Sequence, residues 1–392
     1  MRAREFRRAV FQMGAQDWAR RLFDELIPLP DGTSYNAYLV RGSKKVALID
    51  TVDPTKTGVL LGQLEAVPHI DYLIVQHVEQ DHSGAVPAVL ARYPDARIIT
   101  TPKAKDLITS HLHVAEDRIT LVEDKETLSL GDRTLEFIHA PWVHWPETMF
   151  TYLREDKILF TCDLFGSHLA TTKLYPPDRE RTYEAAKRYY AEIMMPFRSP
   201  IKGHLERLAA YEIEVIAPSH GPIYDDPGFI LAAYRKWVLN PPENLVLLPY
   251  VSMHGSTATM VEHLIGSLAE LKVEVKPFNL TVTDLGQLAI ALVDAATLIF
   301  GAPTMLGGAH PHIITAAYLA NALRPKLAHA AIIGSYGWGG KAVEQVMGLM
   351  SSLKVEWLDP VITKGLPTAE TRIALDRLAN EIAERHKKLE TV

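Results

Sequence analysis

The sequence predicts an α/β chain of two successive domains, residues 1–242 and 243–392, and three observations carry that expectation. A length of 392 residues exceeds what one ordinary core accommodates. The segment Asn240-Pro241-Pro242-Glu243-Asn244 interrupts the surrounding pattern, as consecutive prolines do at a linker. Beyond it the rhythm changes: strands at 245–251, 273–279, 297–301, 329–335 and 355–358 alternate with helices at 257–271, 284–294, 311–324, 339–353 and 369–389. Regular alternation of this kind marks a doubly wound parallel sheet.

The first half reads differently. Apolar, β-branched runs at 36–40 and 46–50 flank the polar segment 41–45, a hairpin signal. Further strands are expected at 72–76, 97–100, 134–138 and 157–161, with helical periods at 56–66, 84–93, 103–111, 180–195 and 202–212. Strands mixed with helices at this spacing suggest a layered αβ domain.

Composition narrows the class. A hydrophobic fraction of 47% with 22% charged residues is that of an ordinary globular chain. A net charge of −6 opposes a nucleic-acid footprint. The lone cysteine, Cys162, excludes a disulfide framework, a cysteine zinc ribbon or a Cys-ligated iron–sulfur cluster within the sequence. Met1 to Met13 lacks the apolar core of a signal peptide, and no run approaches the roughly 18 apolar residues of a spanning helix. The expectation is a cytoplasmic protein bound neither to membrane nor to nucleic acid.

The densest chemistry lies in Gln76-His77-Val78-Glu79-Gln80-Asp81-His82-Ser83-Gly84, directly after an apolar strand. One-residue gaps place His77, Glu79 and Asp81 on one side of an extended loop. A single His or Asp there would be an ordinary polar loop residue; a cluster behind a rigid strand points to a metal. His144, Asp163 and His220 recur at or just after other strand ends, in Trp142-Val143-His144-Trp145-Pro146-Glu147, Thr161-Cys162-Asp163-Leu164-Phe165-Gly166 and Pro218-Ser219-His220-Gly221. With His82 they make a nitrogen and oxygen donor set too large for one ion, which two metals sharing Asp163 would account for. Carboxylate oxygens beside imidazoles favour iron or manganese, while affinity order leaves zinc open.

In the second half, Ser252-Met253-His254-Gly255-Ser256-Thr257 joins the first strand to a helix starting near Ala258. Hydroxyls and a glycine at such a turn let backbone N–H groups converge on an anion. Without a P-loop lysine a nucleoside triphosphate is a poor candidate, and a monophosphate such as that of FMN fits better. Two further loops follow strands at the same sheet edge: Pro303, Thr304, Met305, Leu306 and Gly307, then Ser335, Tyr336, Gly337, Trp338, Gly339 and Gly340. Their glycines permit close approach to a ring on which the two aromatics can stack.

These motifs carry a resemblance. The metal spacing resembles the metallo-β-lactamase fold, whose usual motif is His-x-His-x-Asp-His; Glu79 stands where the second His would be. That departure resembles the flavodiiron proteins (A-type flavoproteins), as do the His-Trp-Pro-acidic run at 144–147, Asp-x-Phe-Gly at 163–166 and Pro-Ser-His-Gly at 218–221. The resemblance implies an N-terminal metallo-β-lactamase-like αββα sandwich followed by a flavodoxin-like doubly wound parallel sheet holding FMN. It implies a non-haem di-iron site, with His77, Glu79 and His144 on one iron, Asp81, His82 and His220 on the other, and Asp163 bridging. In some family members the position of His82 faces a water instead. The implied activity is reduction of O2 to water, of NO to N2O, or both, with electrons delivered through FMN. The electrons would come from an external donor, a rubredoxin-like protein or a reduced deazaflavin, and the implied assembly is a head-to-tail homodimer or a dimer of such dimers. Two positions depart from the pattern: Leu306-Gly307 stands where relatives carry Asn, and Asp24 where they often place a pocket-lining His. A zinc hydrolase with an accessory flavodoxin domain, and an electron carrier whose first domain only scaffolds, are the competing readings.

Overall fold

The computed structural model describes residues 2–389; Met1 and residues 390–392, the outer ends of the two expected domains, lie outside the described residues. The chain divides into two compact units. One runs to Tyr190 and resumes from Phe197 to Val238; the other comprises Ala191–Pro196 and the chain from Leu239 onward. The division falls at the end of the helix Pro227–Leu239, just ahead of Pro241-Pro242.

The first unit is built on two sheets. In one, seven strands lie in chain order: Arg4–Arg7, Val10–Asp17, Thr33–Arg41, Val46–Ile49, Tyr72–Ile74, Arg97–Thr100 and Ile119–Leu121. Neighbours are antiparallel as far as Val46–Ile49 and parallel beyond it. The change follows from the connections. A hairpin pairs Arg41 with Val46, whereas Thr57–Gln63, Val86–Arg92 and Pro102–Leu112 are helices lying between the later strands. The other sheet orders Thr127–Ser129, Thr134–His139, Met149–Leu153, Ile158–Cys162 and Val215–Pro218; only the last pair is parallel, its crossover carrying helices Arg179–Tyr189 and Arg198–Leu208.

Strand alternation decides how the layers stack. Leu39, Leu48, Leu73 and Ile98 pack with Leu60, Leu64, Val86 and Ile108 of the helices. Their neighbours Val40, Ile49, Ile74 and Ile99 pack with Leu135, Phe137, Ile158 and Phe160 of the second sheet. Both faces of the first sheet are therefore buried, which is why its strands read as unbroken apolar runs. Phe150, on the far face of the second sheet, meets His204 of Arg198–Leu208 with ring centroids 6.2 Å apart. The layers run helix, sheet, sheet, helix: an αββα sandwich.

Several strands escape the sequence pattern. Val10–Asp17 is interrupted by Gly14, and Thr127–Ser129 is short and mostly exposed. The helix expected over 180–195 stops being an α-helix at Tyr189; Tyr190–Met194 widens to a π-helix and Met195–Phe197 tightens to a 3-10 turn. Pro196 lacks the N–H that a continuing α-helix needs.

In the second unit all neighbours in the main sheet are parallel, and Thr304–Met305 and Gly308–Ala309 form a separate antiparallel pair. Glu274–Asn279 lies at one edge, followed by Glu243–Tyr250, Ala295–Gly301 and His329–Tyr336, with Glu356–Trp357 and Val361–Lys364 both beside the last. Chain direction across the sheet reverses between Glu243–Tyr250 and Ala295–Gly301, the switch point where doubly wound folds open a cleft. The strand expected at 355–358 is Glu356–Trp357 alone, and beyond Pro360, which has no N–H to extend the ladder, a further strand Val361–Lys364 was not foreseen. Val246, Leu248, Ile299 and Ile333 pack under Leu264 and Leu268 of Ser256–Glu270 and Leu375 and Ile382 of Ala369–Leu389. Among the described residues no helix is long and apolar enough to cross a membrane.

Candidate functional site

Two polar sites stand at strand C-terminal ends, one in each unit. In the first, the loop after Tyr72–Ile74 is clamped from behind. Asp50, fully buried and at φ 54°, accepts the Gln76 backbone N–H and side-chain amide, both at 2.8 Å. Thr51 donates its N–H and hydroxyl to the His82 carbonyl, both at 2.7 Å. The extended stagger expected over 77–81 ends at Glu79, because Gln80–Ser83 is a helical turn. The Ser83 hydroxyl closes that turn on the Val78 and Glu79 carbonyls. The turn sends Glu79 and Asp81 to different groups of side chains.

In one group, donor atoms of His77, Glu79, His144 and Asp163 all lie within 4.8 Å of one another; Asp81, His82 and His220 form a second. His77 Nε2 is 3.2 Å and His144 Nε2 3.0 Å from Glu79 Oε2, and both are 3.5 Å from Asp163 Oδ2. On the other side, His82 Nε2 is 3.0 Å and His220 Nε2 3.4 Å from Asp163 Oδ1, and His220 Nε2 is 3.2 Å from Asp81 Oδ2. Asp163 thus turns one oxygen to each group. All seven residues singled out in the sequence converge here.

A surrounding layer fixes the imidazoles. His77 Nδ1 donates to Glu147 Oε1 at 2.7 Å and His220 Nδ1 to the Ser34 carbonyl at 2.6 Å, leaving each Nε2 turned toward the carboxylates. Tyr189 donates its hydroxyl to Asp163 Oδ1 at 2.8 Å. Burial alone would raise the Asp163 carboxyl, but His82, His144 and His220 hold it well below its ordinary range. Burial likewise works against charge on the imidazoles. Asp163 and Glu79 nevertheless lift His144 to about 9, and Asp163 and Asp81 lift His220 to about 10. Both Asp81 oxygens and Asp163 Oδ2 are buried without a hydrogen-bond partner. Buried carboxylate oxygens left so are costly unless a cation meets them. The donor set fits a pair of metal ions.

Glu147, Tyr189, Asp50 and Ser34 are supports that sequence reasoning did not assign. Only Glu147 carried a signal, its place in the 144–147 motif. Asp24 sits in the turn between Leu22–Phe23 and Ile27–Pro28, where burial and then the charges of Glu79 and Asp81 raise its carboxyl. His168 packs its ring 5.1 Å from that of His220, and burial followed by that neighbour pushes it well below its ordinary range. It bonds Thr33 Oγ1 at 2.9 Å and belongs to neither donor group.

In the second unit the loops after Glu243–Tyr250, Ala295–Gly301 and His329–Tyr336 enclose a cleft of about 560 Å³. Ser252, Met253, His254, Ser256 and Thr257 line it with Pro303, Thr304, Ser335, Tyr336, Gly337 and the unforeseen Gly365. An adjoining cleft of about 660 Å³ shares Thr304, Ser335 and Tyr336 and adds Gly339 and Gly340. Gly255, Met305, Leu306, Gly307 and Trp338 line neither; Leu306 and Trp338 stand in solvent, 88% and 79% exposed. Gly334 is required where it stands, since a Cβ there would lie 2.0 Å from the Ala302 carbonyl oxygen.

A metallo-β-lactamase-like sandwich with a two-group donor site, joined to a flavodoxin-like sheet open at its switch point, defines a class of two-domain oxidoreductase. The family model described as ODP family beta lactamase matches residues 33–221. The nitric oxide reductase of Moorella thermoacetica is 35% identical over 387 residues, covering 96% of this chain and 97% of that protein. The rubredoxin oxygen:oxidoreductase of Desulfovibrio gigas superposes with a TM-score of 0.95 at 30% identity over 100% of both chains. The flavodiiron protein of Giardia intestinalis gives 0.90 at 25% identity, covering 99% and 98%. The chain belongs to the flavodiiron proteins.

Proposed function

We propose that this oxidoreductase reduces O2 to water, NO to N2O, or both, at two irons held by the seven clustered residues, with electrons entering through FMN in the switch-point cleft. Asp163 carries the reading: its two oxygens face two separate donor groups, as a bridging carboxylate between two ions requires. His77, Glu79 and His144 would hold one iron and Asp81, His82 and His220 the other. Bound iron would supply the electrons and the open positions for a diatomic gas. The protein's part is orientation and exclusion of water. Glu147 and the Ser34 carbonyl fix the tautomers of His77 and His220, and Tyr189 holds one oxygen of the bridge. Both reductions consume protons, and Asp24, whose carboxyl is raised by burial and then by the charges of Glu79 and Asp81, is an acid group at hand in the turn before Ile27–Pro28.

The hydroxyl-rich cradle before the helix Ser256–Glu270 supports a monophosphate, hence FMN. A relative named for rubredoxin supports a small redox protein as donor. A head-to-tail homodimer is supported by exposed apolar side chains on segments adjoining each site: Trp142, two residues before His144, and Leu306 and Trp338 in the loops of the flavin cleft.

The test is metal and flavin content of the purified protein, with anaerobic stopped-flow reoxidation by each gas. Two irons and one FMN per chain, rapid reoxidation, and its loss in Asp163→Ala are expected. Two zincs, or an Asp163→Ala protein reoxidised as fast as wild type, would overturn the reading.

A further inference from the structure

The phosphate cradle of the flavin cleft is lined by one side chain able to carry positive charge, His254. We propose that His254 is the cation of this cradle, so that FMN binding takes up a proton and FMN is distinguished from riboflavin by charge. The inference rests on the FMN reading above.

The cleft lining contains no Lys, Arg, Asp or Glu, and the chain carries a net charge of −6. An incoming phosphate dianion therefore meets only hydroxyls, backbone N–H groups and His254. Two of the hydroxyls are already engaged in bracing the loops. Ser252 Oγ accepts the Ala258 N–H at 3.1 Å, and Thr257 Oγ1 pairs with Ser335 Oγ at 3.2 Å. The N–H groups of Ser256 and Thr257 remain, with the roughly half-unit positive charge of a helix N-terminus. That offsets only part of a dianion.

His254 is placed to supply the rest. It lines the cleft, is exposed, and has no hydrogen bond or ion pair among the described residues. Gly255, at φ 88°, turns the chain between it and the helix start, a conformation glycine adopts freely. Its imidazole is thus a free donor on the lip of the anion site. The other titratable groups here are Tyr336, in the lining, and Lys364, which precedes Gly365 in the chain and is not part of the lining.

The sign of the pH dependence separates this arrangement from a neutral cradle. A phosphate monoester loses its second proton near ~6, so a neutral cradle holds FMN as well or better as pH rises. A cradle relying on an imidazolium loses affinity as pH rises, because the bound state carries the extra proton.

The experiment is reconstitution of the flavin-depleted full chain with FMN or riboflavin, read by quenching of flavin fluorescence near pH 6.5 and pH 8.5. The wild-type Kd for FMN is expected to rise about fivefold to tenfold over that interval, while riboflavin binding stays flat. His254→Gln should flatten the FMN profile at the weaker value, and His254→Lys should keep FMN tight at both pH values. Tight, phosphate-dependent FMN binding with the same pH profile in wild type and His254→Gln would overturn the role of His254 alone. Equal affinity for FMN and riboflavin would overturn the phosphate cradle, and His254 with it.

Discussion

Replacing Glu147 by glutamine tests whether the ligands are aimed by the layer behind them. Glu147 Oε1 is 2.7 Å from His77 Nδ1 and 3.1 Å from the Val78 N–H, and neither the Glu147 nor the His77 side chain is exposed at all. Burial would raise this carboxyl, yet the His77 hydrogen bond holds it below its ordinary range, so it acts as an anion. Glutamine has nearly the same shape and can still accept one hydrogen bond, but a neutral one. A hydrogen bond to a charged group contributes about 1.5–3 kcal/mol and a neutral one about 0.5–1.5, so the exchange costs roughly 1–1.5 kcal/mol, near tenfold in affinity. Loss of an outer-shell partner ordinarily costs about 10–100-fold, consistent with that figure. Glu147 has no bond to Asp81, His82 or His220, so the loss should fall on the metal held by His77, Glu79 and His144. Metal content followed through a chelator titration is expected to show one ion leaving at about tenfold lower chelator while the other is retained. Both ions leaving together at the wild-type concentration, with thermal stability of the metal-free chain unchanged, would refute the argument.

Three other perturbations probe separate parts of the molecule. Tyr189→Phe removes the hydroxyl 2.8 Å from Asp163 Oδ1; metal affinity should fall by about tenfold or less, with a changed electron paramagnetic resonance signal of the mixed-valence pair. An unchanged spectrum would show the hydroxyl idle. Gly334→Ala drives a methyl to 2.0 Å from the Ala302 carbonyl, and should lower stability by about 1–3 kcal/mol in urea unfolding and weaken flavin retention. The third concerns pH. His386 is bonded at 2.7 Å to Thr297 Oγ1 and at 2.8 Å to Asn244 Oδ1, and burial followed by His329 lowers it to about 4. Because the folded state favours the neutral ring, this contribution is complete above the ordinary ~6.5 and is lost as pH falls toward 4; after allowance for solvent it is about 2 kcal/mol. Urea midpoints should drop between pH 7 and pH 4.5 by more in wild type than in His386→Asn, and equal drops would show the ring uninvolved.

How much of this was legible in the sequence depended on whether the information was local. The doubly wound half was readable because its three central strands, Glu243–Tyr250, Ala295–Gly301 and His329–Tyr336, are buried along most of their length and the connections between strands carry helices. That reading missed the strand Val361–Lys364 beyond Pro360 and the short pair Thr304–Met305 with Gly308–Ala309, both too brief to carry a period. His77, Glu79, Asp81 and His82 were visible as a cluster because they share one loop. Their division into two groups came from the family resemblance and not from local spacing, since it depends on a helical turn begun at Glu79 and held by the Ser83 hydroxyl. The supports were hidden for a plainer reason. Ser34 lies far from His220 in the chain, Glu147 far from His77, and Tyr189 is on a helix whose period marks it as an ordinary buried aromatic.

Both sites follow one rule of chain geometry. In the first unit the ligands leave the C-terminal ends of Tyr72–Ile74, Ile158–Cys162 and Val215–Pro218, with His144 from the turn after Thr134–His139. Parallel pairing sets Cys162 opposite Pro218, so Asp163 and His220 emerge at the same edge a residue or two later. In the second unit the cleft loops likewise leave the ends of three neighbouring parallel strands. A strand end fixes where a side chain starts, and that much is written in local sequence. Which nitrogen faces the metal, and how basic it is, is decided by residues packed behind. Variation in chemistry among chains with this donor set should therefore be sought in positions such as Glu147, Tyr189 and Asp24, not in the ligands themselves.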